Sequence, residues 1–358
     1  MNTADRFSLI QQVGEEILTE EELRAVLQEK EHPLAYDGFE PSGTTIHIAQ
    51  GLLRAININK MTKAGCKFKI LVADWHAWAN NKMGGDLNKI QKVGKYLIEV
   101  WKACEMDLSK VEFVWASDLM KDTDYLKTVM QVARHSTVQR IIRCSQIMGR
   151  KEDEALQASQ IFYPCMQAAD IFHMKIDICQ LGMDQRKVNV LARELGPKLG
   201  LWKPVAVHHH MLLGLGEPPK TKNTLERALE MKMSKSKPDS AIFMTDSDEE
   251  VRRKINKAYC PEGLVEDNPI LEYCRYILFE RFPTLKIERP EKFGGNIEFI
   301  SYTGLERSFL EKKLHPQDLK QTVAKHLNIL LEPVRQQLAH NHLAQKLAEE
   351  IKGFEVTR

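Results

Sequence analysis

Residues 67–74 read KFKILVAD. Apolar side chains run through this segment without alternation and an acid closes it, which is how a strand buried on both faces of a parallel sheet reads. Residues 111–118, VEFVWASD, repeat the plan. Between the two, Ile90, Val93, Tyr96, Leu97 and Val100 are spaced for one face of a helix over about 87–104. Strand, helix, strand implies a parallel β-α-β unit, so the first half is expected to be a doubly wound α/β sheet.

Working outward, Thr19 and Glu22 have the spacing of a capping box opening a helix through Leu23, Val26 and Leu27. An apolar run over 34–39 meets the turn Pro41-Ser42-Gly43. Ile48, Leu52 and Ile56 then mark a helical face. Two more strands are expected at 176–181 and 205–213. The helical stretch 125–148 is too long for one crossover and reads as an insertion between two half-sheets. Near 245 the character changes: Thr245-Asp-Ser-Asp before Glu249-Glu250 is a helix start, and the rest is mostly helical, ending in 318–338 and 342–352.

Composition narrows the class. The 358 residues carry 51 Lys+Arg against 49 Asp+Glu, a net charge of +2, which excludes binding nucleic acid by bulk charge and leaves local basic patches open. Seven cysteines, none spaced C-x-x-C, argue against a disulfide framework or zinc ribbon and for a reducing compartment. The N-terminus lacks the basic and apolar regions of a secretory signal, and no run of about 18 apolar residues occurs. A cytoplasmic protein without membrane contact is expected.

In an open parallel sheet, ligands bind at the carboxyl ends of strands. The first such end here is YDGFEPSG, 36–43, followed by HIAQG, 47–51. Gly38 and Gly43 allow close backbone approach to a ligand. His47 and Gln50, three apart at a helix start, can face phosphate oxygens, or they are ordinary polar residues of a first turn. The spacing is not GxGxxG, so a nicotinamide cofactor is not supported. Residues 232–238, KMSKSKP, read either as a solvated basic loop or as a mobile clamp whose lysines offset charge on a leaving pyrophosphate. In YPCMQAAD, Tyr163, Gln167 and Asp170 share a helical face, and Gln185 follows a strand in GMDQRK. A buried acid such as Asp170 needs partners. His208-His209-His210 lies in an expected strand, where neighbours point to opposite faces, so no metal site is expected there.

HxxQ at a strand–helix junction together with KMSKS resembles the signature pair of class I aminoacyl-tRNA synthetases, with Ala49 and Gln50 standing where HIGH has glycine and histidine. AYDGFEPSG, VADWHAW, YPCMQAADI, GMDQRK, KAYCPEG, RPEKFGG and LHPQDLK extend the likeness over nearly the whole chain, to the tyrosyl-tRNA synthetase family of archaeal and eukaryotic cytosolic type. The resemblance implies a Rossmann-like catalytic domain at 1–226 with its helical insertion at about 119–160, a KMSKS loop and linker at 227–245, and an α-helical anticodon-binding domain at 246–358. It implies that Tyr36 and Asp170 bind the tyrosine hydroxyl, that Tyr163, Gln167 and Gln185 hold its ammonium, and that His76 lines the pocket. It places Gly38, Glu40, Met211, Leu213 and Ser234 at ATP, and His47, Gln50, Lys232 and Lys235 at the transition state, with Mg²⁺ assisting and no protein-bound metal. It assigns Arg140 and Arg143 of the insertion, and Phe293, His315 and Asp318, to tRNA(Tyr), and it implies a homodimer. A tryptophanyl relative, a nucleotidylyltransferase of the same sheet class and a non-catalytic RNA-binding relative are the alternatives.

Overall fold

The computed structural model describes residues 1–148, 155–219, 227, 231, 233 and 238–355. Its central sheet has six strands: β1 (Gly14–Leu18), β2 (Leu34–Phe39), β3 (Lys67–Val72), β4 (Val111–Trp115), β5 (Ile178–Gly182) and β6 (Val205–His209). Their order is β1-β6-β5-β2-β3-β4. All neighbours are parallel except β1, which pairs antiparallel with β6. The chain steps outward from β2 to β3 and β4, then returns to lay β5 on the other side of β2. The order therefore reverses between β2 and β5, and a crevice opens at their carboxyl ends.

Side chains alternate between two apolar layers, as a strand's period requires. Ala35 and Phe39 of β2, with Phe68, Ile70 and Val72 of β3, face one core; Tyr36 and Leu71 face the other. Helices Arg54–Lys63 and Leu87–Lys102 cover the first face. Helices Thr123–Arg134, Ala158–His173 and Arg186–Leu195 cover the second. The expected capping box is present: Thr19 and Glu22 bond reciprocally and open helix Glu20–Glu29.

The structure departs from the sequence reading in five places. Residues 111–115, read as buried on both faces, form the edge strand β4, where no residue is buried. The stretch 125–148 is not one helix: it breaks after Arg134, and Thr137 caps a second helix, Val138–Cys144. The strand expected to reach 213 ends at His209. The helix expected to begin at 245 is capped by Ser247 instead. The polar strand β1 has no counterpart in the reading. Downstream, helices Asp248–Lys257, Pro269–Tyr273, Tyr302–Leu310, Pro316–His340 and His342–Ile351, with hairpin β7 (Leu285–Ile287) and β8 (Ile297–Phe299), share the first core. Helix His342–Ile351 folds back on the sheet's own helix, where Asn341 donates to Glu99 at 2.9 Å and Lys92 pairs with Glu350 at 2.8 Å.

Candidate active site

The crevice holds a cavity of about 430 Å³. At its floor is Asp170, fully buried in the last turn of helix Ala158–His173. Tyr125 Oη donates to Asp170 Oδ1 at 2.8 Å, and His76 Nε2 lies 3.0 Å from Oδ2. A buried carboxylate is costly without such partners. Tyr36, on β2, opens into the same cavity. Its Oη is buried beside Gln167 without a hydrogen bond of good geometry. Burial, with Cys179, Asp170 and Asp37 nearby, pushes the Tyr36 phenol well above its ordinary range, so it stays a neutral donor.

One wall is a polar chain. Tyr163 Oη donates to Glu40 Oε2 at 3.0 Å, and burial together with Glu40 raises the Tyr163 phenol. Asn80 donates to both Glu40 oxygens at 3.3 Å, and Lys82 Nζ stands 3.8 Å from Oε1. Gln167 Nε2 donates to Gln185 Oε1 at 3.1 Å, and Gln185 in turn donates to the Ile147 carbonyl. Glu40, expected at the nucleotide, is thus tied to Tyr163, expected at the ammonium of tyrosine.

The opposite wall carries the HIAQ segment. Ala49–Leu53 is a π-turn, and the α-helix proper starts at Arg54. Such widened turns free a carbonyl from the helical ladder. Here Trp101 Nε1 donates to the Gln50 carbonyl at 2.7 Å. His47 and Gln50 both line the cavity. Arg54 Nε pairs with Asp37 at 2.8 Å, and Arg54 Nη2 donates to the Gly38 carbonyl at 3.1 Å. Burial raises the Asp37 carboxyl and Arg54 opposes it.

The third side is the end of β6. His208, His209 and His210 go to separate partners. His208 lies between Glu16 and Asn189, His209 meets Gln180 at 2.6 Å, and His210 bridges Glu15 and Glu272 while stacking on Tyr276. Burial, with Arg54 nearby, drives His209 down to about 3, so its ring is neutral. Among the described residues no group of three or more His, Cys, Asp and Glu is arranged to hold a metal ion. Met211 lines the cavity, but Leu213 does not: its backbone N–H donates to Glu272 and its carbonyl accepts from Tyr273. Gly182 lets Met211 and Asp184 close in, since a Cβ there would lie 2.5 Å from Met211 Sδ and 2.8 Å from Asp184 Oδ1 and force them to shift.

Lys232, Ser234 and Lys235 lie outside the described residues. Met233, between them, is buried and reaches the cavity. The structure therefore brings together Tyr36, Gly38, Glu40, His47, Gln50, His76, Tyr163, Gln167, Asp170, Gln185 and Met211. It adds Asp37, Arg54, Lys82 and Asp184, which the sequence reading passed over. Arg54 carried a signal, being four residues after Gln50 on the same face. Tyr125 carried none, because its partner Asp170 is 45 residues away.

The other assigned residues sit elsewhere. Arg140 pairs with Glu194 at 2.9 Å, whereas Arg143 is exposed. His315 caps helix Pro316–His340 by accepting from Gln317 N–H, and Asp318 follows in the first turn. Phe293 ends the turn Glu291–Phe293. Arg289, just before that turn, donates to the Lys313 carbonyl at 2.9 Å and so draws the turn toward His315.

A family model described as tRNA synthetases class I (W and Y) matches residues 28–332. Tyrosine–tRNA ligase 1, cytoplasmic, of Arabidopsis thaliana is 49% identical over 356 residues, covering 99% of this chain and 89% of its own length. Tyrosine–tRNA ligase 2, cytoplasmic, of the same plant is also 49% identical over 99% of this chain, which spans 46% of that relative's length. The crystal structure of tyrosyl-tRNA synthetase complexed with L-tyrosine from Pyrococcus horikoshii is similar at a TM-score of 0.91 and 41% identity, covering 98% of this chain and 100% of the other.

Proposed function

The chain belongs to the class I tRNA synthetases of the tryptophan and tyrosine group, in its tyrosine–tRNA ligase branch, and from that premise we propose that it activates L-tyrosine with ATP and transfers it to the 3′ end of tRNA(Tyr). The tyrosine carboxylate attacks the α-phosphate of ATP. A phosphate–oxygen bond forms to the carboxylate, the bond to the β-phosphate breaks, and pyrophosphate leaves with its electrons. A terminal ribose hydroxyl of the tRNA then takes the tyrosyl group, releasing AMP. No side-chain nucleophile is needed: catalysis is positioning plus charge stabilisation.

The observation that carries this reading is the floor of the cavity. Asp170 is held by Tyr125 and His76, with the Tyr36 hydroxyl facing the same space. A substrate phenol fits such a floor, donating to Asp170 and accepting from Tyr36. An indole has no oxygen to offer Tyr36. Tyr163, Gln167 and Gln185 form the polar wall that suits an ammonium. His47 and Gln50 on one wall with Arg54 beside them, Lys82 on the facing wall, and Lys232 and Lys235 of the loop would offset charge on the phosphates. Gly38, Met211 and Ser234 would border ATP. Leu213 would act only through the backbone that supports Met211. Magnesium enters as the substrate complex with ATP, riding on its phosphates.

The described surface supports two further parts of the reading. Leu126, Met130, Val138 and Phe162 are exposed on the 119–160 insertion and its edge, and burying them against a second copy would give a homodimer. Residues 1–226 would form the catalytic domain, 227–245 the loop and linker, and 246–358 the anticodon-binding domain, with Phe293, His315 and Asp318 reading the RNA and Arg140 and Arg143 meeting its backbone. The working place would be the cytoplasm; among the described residues no helix is long and apolar enough to cross a membrane. Tyrosine-dependent exchange of pyrophosphate into ATP tests the central reading, and its absence in pure protein with magnesium would overturn it.

A further inference from the structure

Asp170 has two carboxylate oxygens, and each meets a different helix. Oδ2 faces His76 of helix Asp74–Ala79, and Oδ1 accepts from Tyr125 of helix Thr123–Arg134. Tyr125 is fully buried, and its ring meets His173 edge-to-face at 5.4 Å. It does not line the cavity, so it cannot touch a ligand directly. Its hydroxyl goes to the acid at the cavity floor. Burial and the neighbouring Asp170 raise the Tyr125 phenol well above its ordinary range, which keeps it the neutral donor of that hydrogen bond.

We propose that Tyr125 is a specificity-determining positioning residue, which orients the Asp170 carboxylate so that its remaining lone pairs point at a substrate hydroxyl. The inference rests on the tyrosine–tRNA ligase reading. A carboxylate held by one donor can rotate about its terminal torsion. Held on Oδ1 by Tyr125, with the His76 ring 3.0 Å from Oδ2 limiting its swing, it presents one fixed edge. A ring hydroxyl that donates to that edge and accepts from Tyr36 gains both bonds. A ring without the hydroxyl leaves both groups unpaired, and this difference is what rejects phenylalanine. Tyr125 thus acts on discrimination through Asp170, from a helix that contributes nothing else to the floor.

The test is pyrophosphate exchange with tyrosine and with phenylalanine in wild type, Tyr125→Phe, Asp170→Asn and the double variant. Tyr125→Phe is expected to raise the KM for tyrosine and to lower the tyrosine-to-phenylalanine ratio of kcat/KM about 10- to 100-fold, the range of one lost charge-assisted hydrogen bond. The KM for ATP should not move. In the Asp170→Asn background the added effect of Tyr125→Phe should vanish, because its target is gone. An unchanged ratio in Tyr125→Phe overturns the proposal. So does an equal loss for both amino acids together with a higher KM for ATP, which is what a packing role alone would give. Tyr125→Met, which keeps an apolar filler without ring or hydroxyl, is read beside it. Should Tyr125→Phe not fold, the ratio in Tyr125→Met decides: retained discrimination overturns the proposal. Absence of tyrosine exchange in the wild type would instead sink the functional reading itself.

Discussion

His47 and Phe243 face each other across an antiparallel bridge. Ile48 N–H donates to the Ile242 carbonyl and Met244 N–H to the Ile46 carbonyl, both at 2.9 Å. The HIAQ segment is therefore clamped to the chain just after the lysine-rich loop, so two motifs nearly 200 residues apart in sequence share one piece of backbone pairing. The π-turn that carries Gln50 packs on the same segment. A Cβ on Gly51 would stand 2.3 Å from Met244 Sδ, and Met244 is fully buried, so it would have to shift within the core. Gly51→Ala should cost about 1–3 kcal/mol of stability, the range of core overpacking. By pushing the two segments apart it should also lower kcat for adenylate formation while leaving the KM for tyrosine near wild type. Denaturant unfolding and exchange kinetics read the two effects separately, and a rise in tyrosine KM with unchanged kcat would contradict the argument.

Discrimination at the cavity floor gives the second prediction. Asp170→Asn keeps volume but puts an amide where two donors converge. Tyr36→Phe removes only the facing hydroxyl. Because a site built to hydrogen-bond a hydroxyl rejects its absence by ~10⁴–10⁵, Asp170→Asn should lose most of the preference for tyrosine over phenylalanine. Tyr36→Phe should lose a smaller part, about tenfold for one neutral bond. Competition between the two amino acids in the exchange assay measures this, and equal effects from the two variants would argue that the floor acts as simple packing.

Why some of this was legible in the sequence and some was not follows from distance along the chain. The apolar run at 67–74 announces a buried parallel strand because burial on both faces leaves little polar alternation, whereas 111–118, read the same way, forms the edge strand β4, where no residue is buried. Strand β1, GEEIL, is half polar because it lies on the sheet edge, where Glu15 and Glu16 reach His210 and His208. An edge with outward acids has no apolar pattern to detect. The break at Thr137 was hidden because cap residues and helix interiors differ by only about 1 kcal/mol, less than periodicity suggests over a long stretch. Tyr163, Gln167 and Asp170 were visible as one helical face. What surrounds the Asp170 carboxylate was not, since Tyr125 and His76 come from helices that the topology, not local spacing, brings to it. Glu40 was assigned to ATP by resemblance; that it also accepts from Tyr163, 123 residues away, only tertiary contact shows.

Glu22 links acidity to stability. Burial works against its charged form, but Lys203 at 2.7 Å and Arg193 at 2.6 Å, with the Thr19 backbone, hold it down from its ordinary 4.5 to about 2. A carboxylate whose folded value is depressed stabilises the fold above the unfolded value and loses that contribution as pH falls through the folded one. Wild type should therefore exceed Glu22→Gln in unfolding free energy at neutral pH, and the gap should close between 4.5 and 2. The amide keeps the capping geometry, so the pH-dependent part isolates the charge. A gap that stays constant through that window would rule the ion pairs out as its source.

Leu126 and Met130 stand one turn apart on helix Thr123–Arg134, both exposed, the second at 58%. In a homodimer they would be covered, and a charge there would have to be buried unpaired. Met130→Lys should shift the sedimentation of the protein from dimer toward monomer at micromolar concentration, without loss of helix content. A wild type that sediments as a monomer removes the premise, and a variant that stays dimeric moves the interface elsewhere.

RNA contacts should separate from amino-acid activation. His315 Nδ1 accepts the Gln317 N–H, so in the neutral ring the proton sits on Nε2, pointing outward as a donor. Asp318, one turn into the same helix, is only partly buried and supplies an acceptor. A donor and an acceptor side by side suit the edge of an unpaired base. Asp318→Ala should lower kcat/KM for tRNA charging about tenfold or more, the scale of a lost base contact, while pyrophosphate exchange stays at wild-type rate. Arg143→Ala should weaken charging similarly and flatten its salt dependence, as loss of a phosphate contact does. Arg140→Ala should do so less, because Glu194 already pairs with that guanidinium. Charging measured across a salt series beside exchange distinguishes these outcomes: if exchange falls in parallel with charging, the substitutions have disturbed the fold rather than the RNA surface.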